Sequence, residues 1–217
     1  MNLMNKKLPD FSIEKNYKGL IAGIDEAGRG PLAGPVVAAC VILNRSSYPQ
    51  DLNDSKKLPK KLREEIFDNL RNSTDVKIGV GIVDEKIIDQ INIRNATKLA
   101  MKLAFEDLCQ HNNVTPNAVL VDGNFIPDIS CDAKAIIKGD TKSLSIAAAS
   151  IVAKETRDQI MLKLHEEFPF YGWNKNQAYP TKFHVDKVKE FGICQYHRKS
   201  FEPIKSIVKN NENNQGN

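Results

Sequence analysis

Cysteine is scarce in this 217-residue chain and never closely spaced: Cys40, Cys109, Cys131 and Cys194 stand far apart. That excludes a zinc knuckle built on a close Cys pair and predicts free thiols in a reducing compartment. Histidine is equally sparse, with four residues and no cluster, so a nitrogen-rich metal site is excluded as well. No apolar run approaches the ~20 residues that span a bilayer. Lys6, Lys7, Pro9 and Asp10 interrupt any apolar segment near the N-terminus, so a signal-peptide pattern is missing. No internal repeat is visible. These absences predict a cytoplasmic protein without a membrane partner.

What is present suits one globular domain with a small appendage. The length suffices to bury a core without disulfides or structural zinc. A formal net charge of +4 permits a polyanionic partner without demanding one. Residues 1–18 are polar and mixed and read as a loosely attached arm. Residues 19–168 carry the alternating strand and helix patterns of the main domain. Residues 169–208 concentrate the lone Trp, several further aromatics and many lysines. Residues 209–217 are low-complexity and polar, and read as a disordered tail.

One stretch organises the chain. Leu20-Ile21-Ala22-Gly23-Ile24 reads as a buried strand that ends on two carboxylates, Asp25 and Glu26. Gly28-Arg29-Gly30-Pro31 follows, and a second apolar strand begins near Val36. Strand alternation sends Asp25 to one face of the sheet and Glu26 to the other. Two further apolar segments, residues 118–122 and 133–140, also end on carboxylates, Asp122 and Asp140. Turn N–H groups can satisfy any single strand-end Asp. Four carboxylates at one rim of a sheet instead suggest an oxygen-only site for hard divalent cations such as Mg2+ or Mn2+. Two such ions about 4 Å apart suit phosphodiester cleavage.

Other segments leave alternatives open. Gly28-Arg29-Gly30 and Gly34 lack the spacing of a dinucleotide fingerprint, so that reading is rejected. Either the glycines let a substrate approach the backbone while Arg29 meets phosphate, or they serve turn geometry alone. Asp54 or Ser55 is expected to cap a helix running to about residue 69. Lys56 then lies at a helix start, as an anion contact or on a solvated face. Residues 84–90 and 93–110 read as a short and a long helix, with a core stripe of Ala96, Leu99, Ala100, Leu103, Ala104 and Leu108. Residues 143–166 read as a helix whose first half is built of small residues, which allow close approach to a sheet. The aromatic and basic C-terminal region either stacks on a nucleic acid or forms a satellite core.

The blocks also carry a resemblance. Gly23-Ile24-Asp25-Glu26-Ala27-Gly28-Arg29-Gly30-Pro31-Leu32-Ala33-Gly34-Pro35-Val36 resembles the signature of bacterial ribonuclease HII. Asp54-Ser55-Lys56-Lys57-Leu58, Val121-Asp122-Gly123-Asn124, Lys138-Gly139-Asp140, Thr156-Arg157-Asp158 and His197-Arg198-Lys199-Ser200-Phe201 resemble that family's other blocks, in order. The small-residue run from Ser145 to Lys154 belongs with them. The resemblance implies an α/β, ribonuclease H-like fold: a central mixed five-stranded sheet flanked by helices, with a small helical C-terminal region. It implies an endonuclease acting on RNA–DNA hybrids and 5′ of single ribonucleotides in duplex DNA, leaving 5′-phosphate and 3′-hydroxyl ends. By resemblance, Asp25, Glu26, Asp122 and Asp140 bind two divalent ions, Mn2+ or Mg2+. Gly28, Arg29 and Gly30 sense the ribose 2′-hydroxyl, Tyr179 works beside them, and Lys56 meets the substrate backbone. A monomer is expected. The related ribonuclease HIII is disfavoured, since no large N-terminal substrate-binding domain precedes the catalytic block. A non-catalytic hybrid-binding module is the alternative of another class. One block departs: Asn176-Gln177-Ala178 stands where the family usually has His-Lys-Gly, losing a cation and adding a methyl group before Tyr179.

Overall fold

The computed structural model describes residues 8–215. Its centre is a five-stranded sheet of β1 (Ile21–Ala27), β2 (Val36–Ile42), β3 (Lys77–Val83), β4 (Ala118–Asp122) and β5 (Ala133–Ile136), in the order β3-β2-β1-β4-β5. β1 pairs antiparallel with β2 and parallel with β4, so the sheet is mixed, as expected. The central strands β1 and β2 are almost continuously apolar because helices cover both of their faces.

One face is covered by α2 (Glu85–Asn112), the other by α3 (Leu144–Glu167). α2 breaks at Asn92, whose backbone leaves the helical region at φ 64°, so the two helices expected there meet at a kink. The Asn92 side chain caps the second half through the amides of Arg94 and Asn95. Of the expected stripe, Ala96, Ala100, Ala104 and Leu108 are buried, while Leu103 stays 36% exposed at its margin. Met101 and Phe105 complete the buried face.

α3 starts at its N-cap Ser143, whose hydroxyl accepts from the amide of Ile146 at 3.2 Å. Its small first half lies directly on β1. A Cβ added to Gly23 would sit 2.2 Å from the backbone carbon of Ser145, so strand and helix meet backbone to backbone. That close approach draws the N-terminal end of α3 in beneath the strand that carries Asp25.

Four expectations change. Over its described part the N-terminal arm is tied down: the buried Glu14 accepts from the Ser143 hydroxyl at 2.7 Å and the Ser145 amide at 3.0 Å. Met1–Lys7 lie outside the described residues. α1 spans Lys60–Asn72, starting after Pro59, so neither Asp54 nor Ser55 caps it. Proline at that position leaves residues 54–57 to a turn, closed by the Lys57 amide on the Asp54 carbonyl. β5 ends at Ile136, and Asp140 lies beyond it in a 3-10 turn, Gly139–Thr141, which Lys138 enters with φ 55°. Residues 209–215, expected as tail, continue α6 (Ile204–Gln215). Ile204, Ile207 and Val208 pack into the C-terminal cluster and anchor that helix, which local composition underweights.

α4 (Trp173–Asn176), α5 (Lys182–Phe191) and α6 form that C-terminal region. Its core is a satellite cluster of Tyr171, Trp173, Ala178, Val188 and Ile204, packed on Leu32 and Ala33 from the β1–β2 loop. Trp173 is therefore a fully buried packing residue and not a stacking platform.

Candidate active site

Asp25 and Glu26 occupy the last turn of the pleat in β1, and alternation separates them as expected. Ala22 and Ile24 pack on the α2 face, so Glu26 shares that side, while Asp25 faces α3 with Ile21. β4 ends beside β1 and delivers Asp122. The Gly139 amide donates to Asp122 Oδ1 at 2.6 Å, which ties the β4 end to the turn carrying Asp140. Four carboxylates from three segments thus share one edge of the sheet.

Their electrostatics record the crowding. Burial pushes the Asp25 carboxyl well above the usual carboxylate range, and the charges of Glu26, Asp122 and Asp140 push it further. Burial also raises Glu26, against the opposing pull of Arg29, whose guanidinium donates to Glu26 Oε1 at 3.1 Å. Asp140 is raised by burial and then by Asp54 and Asp122, with Lys56 and Lys57 opposing. Among the described residues, no three His, Cys, Asp or Glu side chains form a ready-made metal cage. The fit of a cation rests instead on the donor chemistry: four mutually repelling carboxylates, all oxygen, with no soft ligand among them.

A cavity of about 740 Å³ opens at this edge. Asp25, Glu26 and Asp122 line it, together with Gly28, Arg29, Gly30, Lys56 and Tyr179. Of the nine residues singled out in the sequence, only Asp140 is not part of this lining, and it joins the site through its charge on Asp25. Lys56 reaches the cavity from the turn after Asp54 rather than from a helix start. Burial lowers its affinity for a proton, but the charges of Asp25, Asp54 and Asp140 outweigh that and hold it above the ordinary lysine range. The Ser55 amide docks this turn on the Ser150 hydroxyl of α3 at 3.2 Å.

Tyr179 stands 43% exposed at the cavity, and a Cβ built on Gly30 would lie 3.5 Å from its ring. The departing residues before it form a left-handed turn, with φ 50° at Gln177 and 62° at Ala178. Asn176 pins that turn by accepting from the Ala178 amide at 2.8 Å and donating to the Tyr171 carbonyl at 2.8 Å. Alanine holds a conformation that suits glycine better, at a cost of about 1 kcal/mol.

Beneath Tyr179 runs a pair of neutral histidines, His184 and His197, the second of them the first residue of the His197–Phe201 block. Trp173 Nε1–H donates to His184 Nε2 at 3.0 Å, so His184 carries its proton on Nδ1 and donates to the Tyr179 carbonyl at 3.1 Å. His197 then donates from Nε2 to the same acceptor at 3.2 Å and accepts the Cys194 amide on Nδ1 at 3.1 Å. Burial and the neighbouring His184 push the His197 pKa down to about 3.

Lys154 and Arg157 also line the cavity but had no assigned role in the sequence. The signal was there: Ala149, Ala153 and Arg157 recur at i, i+4, i+8, placing an arginine on the buried stripe of α3.

The ribonuclease HII family profile matches residues 22–204, a span that includes every one of these elements. The chain belongs to the ribonuclease HII family. Membership makes it a ribonuclease H, an endonucleolytic hydrolase. It is 49% identical over 205 residues to ribonuclease HII of Zymomonas mobilis, covering 94% of each chain. Among solved structures, ribonuclease H2 from Pyrococcus horikoshii OT3 superposes with a TM-score of 0.73 at 25% identity, covering 88% of this chain and 98% of that one. Bst-RNase HIII, solved in complex with Mn2+, superposes at 0.69 with 18% identity over 89% of this chain and 70% of that one, a likeness of fold.

Proposed function

We propose that this chain is a divalent-metal-dependent endoribonuclease that cleaves the RNA strand of RNA–DNA hybrids and incises 5′ of single ribonucleotides embedded in duplex DNA. The observation that carries it is the shared cavity: Asp25, Glu26 and Asp122 line the same space as Gly28-Arg29-Gly30 and Tyr179. Asp25, Glu26, Asp122 and Asp140 would hold the cations, in keeping with the family and with the Mn2+ in Bst-RNase HIII. Bound Mg2+ or Mn2+ supplies Lewis acidity to phosphodiester hydrolysis and offsets the charge of the four carboxylates.

The chain's own groups do the rest. The Gly28–Gly30 segment and the Tyr179 ring form a slot for the sugar, whose 2′-hydroxyl is the local mark of RNA. Among the described residues, the amides of Arg29 and Gly30 donate to no protein acceptor, which leaves them for that hydroxyl. Lys56, at the cavity, offers charge to a flanking phosphate, whereas the Lys154 ammonium is taken up by both oxygens of Asp158. Water adds to the phosphorus as its bond to the preceding nucleotide's 3′-oxygen breaks, which leaves a 3′-hydroxyl there and a 5′-phosphate on the ribonucleotide. We further infer a monomer in the cytoplasm. The four free cysteines support a reducing compartment, and among the described residues no helix is long and apolar enough to cross a membrane.

The test is an RNA–DNA hybrid incubated with the chain in Mg2+ or Mn2+, with and without chelator. Nicks in the RNA strand that vanish with chelator are expected. Tight binding without any nick in either metal would instead support a non-catalytic hybrid-binding module.

A further inference from the structure

Two arginines are buried where no carboxylate meets them. Arg157 on α3 and Arg198 in the C-terminal segment are 1% and 0% exposed, and neither makes an ion pair among the described residues. Removing a guanidinium from water is expensive, so what it holds instead is informative. Arg198 donates from Nη2 to the Gly28 carbonyl at 2.6 Å and from Nη1 to the Arg29 carbonyl at 3.1 Å. Its Nε and Nη2 also reach the Gly34 carbonyl, at 2.9 and 2.8 Å. Arg157 donates from Nε to the Pro35 carbonyl at 3.0 Å and from Nη2 to the Ala33 carbonyl at 3.2 Å. Its remaining arm, Nη1, takes the Gln177 carbonyl at 3.2 Å, in the turn that leads to Tyr179.

Peptide planarity converts these contacts into an orientation. In a trans peptide the N–H points opposite to the C=O of the same plane. The Gly28 carbonyl shares its plane with the Arg29 amide, and the Arg29 carbonyl with the Gly30 amide. Holding both carbonyls on the buried Arg198 therefore turns both amides away from it. Both amides donate to no protein acceptor among the described residues, and both residues line the cavity. Arg157 meanwhile ties the Ala33–Pro35 end of the β1–β2 loop to the Tyr179 turn with one rigid fork, and so sets how the two sides of the sugar slot stand to each other.

We propose that Arg157 and Arg198 are positioning residues: through the carbonyls they hold, they aim the Arg29 and Gly30 amides and seat Tyr179 for recognition of a single ribose. This rests on the sugar-contact reading of Gly28–Gly30. Lysine keeps the charge but loses the planar fork, so Arg198→Lys and Arg157→Lys loosen the orientation specifically.

The test compares two substrates under single-turnover conditions with Mg2+: a duplex holding one ribonucleotide and a hybrid with a continuous RNA strand. One ribonucleotide offers a single register, whereas neighbouring hydroxyls and registers compensate on the continuous strand. The ratio of the two rates should fall about tenfold or more in Arg198→Lys, as expected for misaligned contacts. A purely structural role lowers the active fraction and cancels in the ratio. A folded Arg198→Lys with the wild-type ratio overturns the proposal. Should that variant not fold by circular dichroism, the same ratio read on Arg157→Lys decides it in the same way. If the unaltered chain fails to distinguish a one-ribonucleotide duplex from an all-DNA duplex, the sugar-contact reading itself falls, and the proposal with it.

Discussion

Asp25→Asn should lose more than about 100-fold in cleavage while making the metal-free protein more stable. Losing an outer partner of a metal ligand typically lowers activity 10–100-fold, so loss of a direct donor should exceed that. The gain in stability follows from the same crowding. Asp25 is buried, and its charged form is opposed by burial and by three neighbouring carboxylates. With Asp25, Glu26 and Asp140 all raised, the native state binds more protons than the unfolded chain above the usual carboxylate range. Stability of the metal-free protein must then fall as pH rises through that window, up to the raised values. Asparagine removes the most strongly raised of these groups. Thermal melts in chelator near neutral pH should show Tm higher in Asp25→Asn, by roughly 2–4 °C for each kcal/mol relieved. The slope of Tm against pH should also flatten. A variant with lower Tm and an unchanged slope would mean that the carboxylates do not repel one another as placed.

Two glycines of the same loop should behave very differently. Gly28 adopts φ 96°, and a Cβ there would lie 2.3 Å from Arg157 Nε and 2.7 Å from the Pro35 carbonyl. Both neighbours are fixed, one a buried guanidinium and the other backbone. Gly28→Ala should therefore displace the loop, lowering cleavage on the order of 100-fold, the effect of about 1 Å of misplacement. Backbone strain adds a destabilisation of about 1–3 kcal/mol. Gly30 has an ordinary φ, and its added Cβ would meet only the Tyr179 ring at 3.5 Å. Gly30→Ala should keep the wild-type urea midpoint, and any loss of cleavage should appear with substrate bound. Equal losses of stability in the two variants would contradict this division.

Much of this is legible in the sequence. The apolar runs of β1, β2 and β4 have few alternatives, and each of the carboxylates Asp25, Glu26 and Asp122 ends a strand where alternation fixes its face. Asp140 was legible as a member of the set but not in its setting, because a four-residue strand followed by a left-handed Lys138 has the same local pattern as one longer strand. The start of α1 failed for a related reason: Asp54 and Ser55 are good caps, but Pro59 sets the helix start. The supports of the site were harder to see. Arg157 and Arg198 hold backbone carbonyls 20 to 170 residues away, and His184 and His197 meet each other across 13 residues. Such partners leave no local periodicity. Arg157, His197 and Arg198 stand in the blocks that resemble the family, and Arg157 is also a charge on an otherwise apolar helical stripe. Within the Asn176-Gln177-Ala178 departure, Asn176 has a part that local sequence does not show: it pins the turn before Tyr179.

The central claim is that one cavity joins carboxylate-held metal to recognition of a single sugar hydroxyl. The most direct measurement is the mapping of strand breaks in a labelled DNA duplex carrying one ribonucleotide, with Mg2+ or Mn2+, beside the identical all-DNA duplex. The account predicts one metal-dependent nick on the 5′ side of the ribonucleotide, with 5′-phosphate and 3′-hydroxyl ends, and an intact all-DNA control. Cleavage of both duplexes alike, or a nick that persists in chelator, would contradict it.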